Sequence, residues 1–189
     1  MVISERAYLV LLAALAGERM FELFLSRRNA LRAFARGAVE AGHGHFAAMA
    51  AFHALFIASC VTESIFTNRA ITPLVSIAAL AIAAGAQVLR YAAVMTLGDR
   101  WNTRIIVMPG ASPVMRGIYR WVRHPNYVAV ALELAAIPMI RGCWITAAAF
   151  TAGNAVMLAI RIPAEERALG AVYAQAFAGV PRFFPRMRG

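Results

Sequence analysis

Five apolar stretches constrain this chain more than any other feature. They run over about residues 3–25, 45–66, 71–97, 127–140 and 143–162. A helix needs roughly 20 apolar residues to cross a bilayer. The first three stretches are long enough. The fourth is short, but His124-Pro125-Asn126 lets it start in the interface, and Arg141-Gly142 joins it to the fifth. Ala and Leu outnumber Thr, Val and Ile, so helices are expected and strands are not.

Composition removes the alternatives. Hydrophobic residues make up 61% and charged residues 15%, against about 45–50% and about 25% in an ordinary soluble domain. That is too apolar for disorder and too poor in charge for a coiled coil. The sequence therefore reads as an all-α integral membrane protein with about five transmembrane helices. A single domain over residues 1–189 is the simplest organisation, with three spans in 1–97 and two more in 98–189. No internal repeat or low-complexity linker interrupts it. Residues 7–16, with Ala14-Leu15-Ala16 as a cleavage site, mimic a signal peptide, but Glu5 offsets Arg6 and the apolar pattern continues to Leu25.

The net charge is +10, and every basic residue is Arg. A basic chain can mean nucleic acid, but arginines between apolar helices follow the positive-inside rule. Thirteen fall on one side: Arg27, Arg28, Arg32, Arg36, Arg100, Arg104, Arg116, Arg120, Arg123, Arg167, Arg182, Arg186 and Arg188. Three fall on the other: Arg6, Arg69 and Arg141. The rule places the thirteen in the cytoplasm, which predicts the N-terminus outside and the C-terminus in the cytoplasm.

The tail changes period. Leu169, Val172, Tyr173, Ala176, Phe177 and Val180 recur at three and four residues, and Pro181 ends the run. This predicts an amphipathic helix over about residues 164–180, lying on the membrane or lidding a cytoplasmic pocket.

Polar residues within spans are costly and suggest function. Glu18, Arg19, Glu22, Gln87, Arg90, Glu133 and Arg161 are the candidates. Arg19 and Arg90 also have a structural reading, snorkelling or pairing with Glu22 and Glu133. Glu63 reads as a solvated helix end. Two clusters stand out. One runs from Gly117 through Tyr119 and Arg123 to His124-Pro125-Asn126-Tyr127, dense in aromatic and donor groups. Pro125 suits the first turn of a helix, whose N–H groups attract a carboxylate. The other is Arg161-Ile162-Pro163-Ala164-Glu165-Glu166, in which Arg161 and Glu165 share a face if the helix continues through Pro163. Taken singly, His124 could be a helix cap and Arg161/Glu165 an ion pair. Together they suggest one site.

His43, His45 and His53 invite a metal reading, but only Glu40 is at hand to complete a ligand set. Cys60 and Cys143 form neither a CxxC nor a zinc spacing. No metal is expected. GxGxxG, P-loop and GxSxG motifs are absent.

Tyr119, Arg123-His124-Pro125-Asn126-Tyr127, Arg161, Glu165-Glu166, Tyr173 and Pro181 together resemble the isoprenylcysteine carboxyl methyltransferase family. These are membrane-embedded enzymes dependent on S-adenosylmethionine. Earlier segments resemble a bacterial branch associated with O-methylation of alkylresorcinols and alkylpyrones, the lipids of type III polyketide synthases. Those segments are Glu18-Arg19, Ser26-Arg27-Arg28-Asn29, Gly37-Ala38-Val39-Glu40 and the stretch from Trp101 to Val107. The resemblance implies a cofactor pocket roofed over at the cytoplasmic face. Ala111, Ser112, Pro113, Val114, Tyr119, His124, Pro125, Asn126, Tyr127 and Glu165 would bind the cofactor. Arg161 would be catalytic, facing the oxygen of a lipid-like acceptor. Arg104 departs from the family, in which a Gln often contacts the cofactor. Sterol reductases share part of the C-terminal pattern, so a membrane NADPH-dependent reductase is one alternative. A non-enzymatic scaffold or transporter is the other, and it leaves both clusters unexplained.

Overall fold

The computed structural model describes residues 3–42, 44–67 and 71–185. Each apolar stretch forms a helix: α1 (Glu5–Phe34), α2 (His45–Phe66), α3 (Pro73–Leu97), α4 (Pro125–Met139) and α5 (Trp144–Ala176). Three of them, α2, α3 and α5, are long and apolar enough to cross a membrane. The other two differ from the five-span expectation for separate reasons. α4 has 15 residues, about 22 Å at 1.5 Å each, short of a core of about 30 Å. α1 has 30 residues but carries Glu18, Arg19 and Glu22 near its middle. It also runs on through Arg27, Arg28 and Arg32, beyond the apolar stretch that ends near Leu25.

Outward-facing side chains are apolar. Val10, Phe24, Leu74, Val88, Met95, Ile145 and Val156 are each more than 60% exposed, a surface that suits lipid and not water. The chain is an integral membrane protein. Inside, α4 packs between α3 and α5 and buries Tyr127, Val130, Glu133, Leu134 and Ile137. Tyr8, Leu12, Phe56, Cys60, Leu134, Ile140 and Phe150 form the core at the end holding the α4–α5 turn. At that end Glu63 is buried, not solvated. Its carboxylate accepts from the N–H groups of Ile145 (3.1 Å) and Thr146 (2.7 Å) and so caps α5. Apolar surroundings leave these N–H groups no water, and the negative charge suits a helix N-terminus.

The opposite, arginine-rich end departs most from expectation. Val39–Ala41 (β1) and Ile105–Val107 (β2) pair antiparallel, with Val39 opposite Val107. Local β-branched content outweighed the helical composition of the whole. Ser26 and Asn29 of α1 lock onto the same loop. The Ser26 hydroxyl donates to Asn102 Oδ1 (2.8 Å), and Asn29 Nδ2 donates to the Trp101 carbonyl (2.8 Å). Residues 26–29, 39–41 and 101–107 are therefore one interlocked unit.

The expected tail helix is divided. The first part of α5 continues through Pro163, the helix breaks at Gly170, whose φ of +75° favours glycine, and a second, short helix follows to Ala176. Beyond it the chain is strapped back. The N–H groups of Arg123 and His124 donate to the carbonyls of Pro181 (3.0 Å) and Arg182 (3.1 Å).

Candidate active site

The helices, the β1–β2 ribbon and the strap enclose a cavity of about 870 Å³, inside the roughly 300–1,000 Å³ range of small-molecule sites. Its upper wall joins the two sequence clusters. Ala111, Ser112, Pro113, Val114, Tyr119, His124, Asn126, Tyr127, Arg161 and Glu165 all line it. Pro125 does not. It is fully buried in the first turn of α4, where its fixed φ starts the helix behind the wall.

The side chains form a chain of hydrogen bonds. Arg161, 5% exposed, donates through Nε to the Tyr127 hydroxyl (2.8 Å) and through Nη2 to the Thr103 carbonyl (2.5 Å). The Tyr127 hydroxyl donates in turn to Glu165. The expected Arg161–Glu165 face-sharing is real, but a tyrosine hydroxyl connects the two. Arg161 Nη1 is buried without a partner among the described residues, and so is Asn126 Oδ1. Unsatisfied buried polar atoms in a native site call for a ligand or water.

Neighbouring groups fix this wall. Arg100 donates to the Ser112 carbonyl (2.6 Å) and holds the 111–114 loop. His124 bonds Glu166 (3.1 Å), which also accepts from Arg182 (2.6 Å). His124 and Glu166 thus fasten the strap, and the His124 side chain makes no cap bond to α4. The helix start is less open than predicted, because the N–H groups of Tyr127 and Val128 bond the His124 carbonyl. Burial, aided by the Glu165 charge, holds the Tyr119 phenol well above its ordinary range, so it stays protonated. Arg104 pairs with Glu40 (3.3 Å) and lies over the Phe46 ring.

The cavity reaches deeper than the sequence clusters indicate. Its floor includes Arg19, Glu22, His53 and Arg90. Arg90, 3% exposed, donates to Glu133 (2.9 and 2.5 Å) and Glu22 (3.2 Å). Arg19 donates to Glu22 (2.6 Å) and Glu133 (3.3 Å), and Gln87 to Glu18. The structural pairing read from sequence is present, and the same cluster also walls the cavity. His53, grouped in sequence with His43 and His45, lines the cavity through its spacing with Met49 and Ile57 on one face of α2. His43 and the side chain of His45 lie outside the described residues, as do Arg69, Arg186 and Arg188.

An acidic group, tyrosine faces and an orphaned amide oxygen suit a cationic ligand with N–H donors. S-adenosylmethionine fits that donor set. Arg161 adds a fixed cation against which an oxygen can develop charge.

Comparison with known proteins agrees with this architecture. Residues 77–171 match the Isoprenylcysteine carboxyl methyltransferase (ICMT) family. The chain is 37% identical to the uncharacterized protein YpbQ of Bacillus subtilis over 161 residues, 85% of this chain and 95% of that one. It is 24% identical to an uncharacterized protein of Haemophilus influenzae over 162 residues, 85% and 94% of the two chains. The cavity, its wall of α4 and α5 residues and these matches lead to one conclusion: the chain belongs to the isoprenylcysteine carboxyl methyltransferase family, a family of membrane methyltransferases.

Proposed function

We infer that the protein transfers a methyl group from S-adenosylmethionine to an oxygen of a lipid-like acceptor. The observation that carries this reading is the single cavity lined by Tyr127, Glu165 and Arg161 inside a lipid-facing bundle. When bound, S-adenosylmethionine supplies an electrophilic methyl group. Glu165 and the tyrosines hold its positive charge, Asn126 accepts from its N–H groups, and the 111–114 loop covers it. Arg161 Nη1 orients the acceptor oxygen and stabilises charge on it, acting as a preformed donor in a water-poor site. Alignment of the reacting atoms can supply about 7–11 kcal/mol. A carboxylate or an enol needs little further help. A phenol, with a pKa near 10 by analogy to tyrosine, needs its proton withdrawn. The alkyl chain lies along α1, where Ala16, Met20 and Leu23 line the cavity.

Alkylresorcinols and alkylpyrones, products of type III polyketide synthases, are the acceptors proposed. The mouth faces the cytoplasm across a bacterial inner membrane. A reductase using NADPH needs cations for a 2′-phosphate. Arg36, Arg100, Arg104 and Arg123 do line the mouth, but Arg100, Arg104 and Arg123 are engaged with Ser112, Glu40 and Val180. Mass spectrometry of lipids from cells with and without the gene tests the proposal. Loss of an O-methylated lipid, with build-up of its hydroxyl precursor, is expected. Unchanged lipids together with altered reduction of a double bond favour the reductase.

A further inference from the structure

The floor of the cavity has no task in methyl transfer as described above, yet it is polar. A cavity built only for a hydrocarbon tail has no use for charge at its deep end, because each buried ion costs several kcal/mol before pairing. His53 is the feature that carries the argument. Its Nδ1 lies 2.9 Å from the Met49 carbonyl one turn back on α2. A carbonyl only accepts, so Nδ1 carries the proton. In the neutral ring Nε2 is then the lone-pair acceptor. Nε2 lies on the side of the ring away from its own helix backbone, and no described residue bonds it. The ring lines the cavity together with Met49, Ala50, Ala54 and Ile57 on the same face of α2.

The surrounding charges narrow the choice of ligand. Glu18, Glu22 and Arg19 come from α1, Arg90 from α3 and Glu133 from α4. Arg19, Glu22 and Arg90 line the cavity, whereas Glu18 and Glu133 do not, and each charge of the cluster has an opposite charge within ion-pair distance. The arginines are already taken up by carboxylates, which leaves an acceptor nitrogen as the open valence.

We propose that the floor is a specificity subsite in which His53 Nε2 accepts a hydrogen bond from a neutral hydroxyl of the acceptor, remote from the oxygen that is methylated. The preferred acceptor is an amphiphile with a second hydroxyl on its head group. A one-oxygen head leaves His53 unpaired. This deepens the methyltransferase reading by naming what selects the acceptor, and it rests on that reading only for the reaction, not for the binding.

The test uses the full chain in detergent without cofactor. Binding of 5-pentadecylresorcinol, which has two hydroxyls, is compared with binding of 3-pentadecylphenol, which has one. The wild type is expected to bind the two-hydroxyl probe about tenfold tighter, the upper range for one buried hydrogen bond. His53→Ala should reduce that preference to less than about threefold by weakening the two-hydroxyl probe alone. His53→Gln should restore part of it, because its carbonyl can accept. Affinity for S-adenosylhomocysteine should stay unchanged in both variants, which also reports that they are folded. Equal binding of the two probes by the wild type overturns the proposal. So does a His53→Ala loss that falls equally on both probes. If the wild type fails to bind S-adenosylhomocysteine, the methyltransferase reading fails, while the two-probe comparison still decides the role of His53.

Discussion

Replacing Arg161 by Ala separates its two connections. The guanidinium makes two hydrogen bonds within the protein, to the Tyr127 hydroxyl and the Thr103 carbonyl, and keeps Nη1 unpartnered. If Nη1 stabilises the acceptor oxygen as charge develops, its loss should cost about 2.7–4 kcal/mol of barrier, a hundred- to thousandfold in turnover. The link to the cofactor wall is indirect. Glu165 keeps its bond from Tyr127, so affinity for S-adenosylhomocysteine should fall by less than about tenfold. Tyr127→Phe is the control. It removes the bridging hydroxyl and leaves Nη1 in place, so it should disturb cofactor binding more and turnover less than Arg161→Ala. Arg161→Lys should recover only part of the turnover, because an ammonium lacks the planar fork. Turnover, cofactor affinity and melting temperature are measured on the same samples. Normal turnover in Arg161→Ala would remove this residue from the reaction. A parallel fall in stability and affinity, with turnover following affinity, would reduce it to a structural bridge.

Two further outcomes are expected from packing. Glu133→Ala leaves Arg90, which is 3% exposed, with Glu22 as its remaining carboxylate partner and should cost less than the roughly 3–5 kcal/mol of a fully unpaired buried charge, read as a drop in thermal stability in detergent; Glu133→Leu with Arg90→Met should recover much of it. Gly117→Ala puts a Cβ 2.7 Å from Thr96 Oγ1 at a φ of +54°, whereas Gly170→Ala meets open space at +75°. With ψ at −169°, Gly170 lies in a region essentially restricted to glycine, so the second change should cost about 1–3 kcal/mol, and the first, which adds the clash, should lower the melting temperature more.

The sequence made some of this legible and hid the rest for physical reasons. Apolar runs fix helices directly, because a bilayer satisfies no backbone group, so all five helices fall where the runs do. Which of them cross the membrane is less visible. α1 hides its charges by pairing Arg19 and Glu22 with partners on α4 and α3, which no local pattern reports. The β1–β2 pair was missed because three-residue strands give no period to read. Glu63 looked solvated because the N–H groups it caps lie 82 and 83 residues away. Most of the wall residues are crowded into two short motifs, so their clustering is visible in sequence. The floor residues Arg19, Glu22, His53 and Arg90 are scattered over α1, α2 and α3, so sequence names them without showing that they share one cavity.

Calorimetric titration of S-adenosylhomocysteine into the purified chain in detergent, beside Glu165→Gln, tests the central claim most directly. The wild type should bind at a single site, and Glu165→Gln, which loses the charge but keeps the shape, should bind more than tenfold more weakly, since a charge-assisted hydrogen bond is worth about 1.5–3 kcal/mol. Absence of binding by a folded wild type, or equal affinity in the two proteins, would contradict the assignment of this cavity to the cofactor.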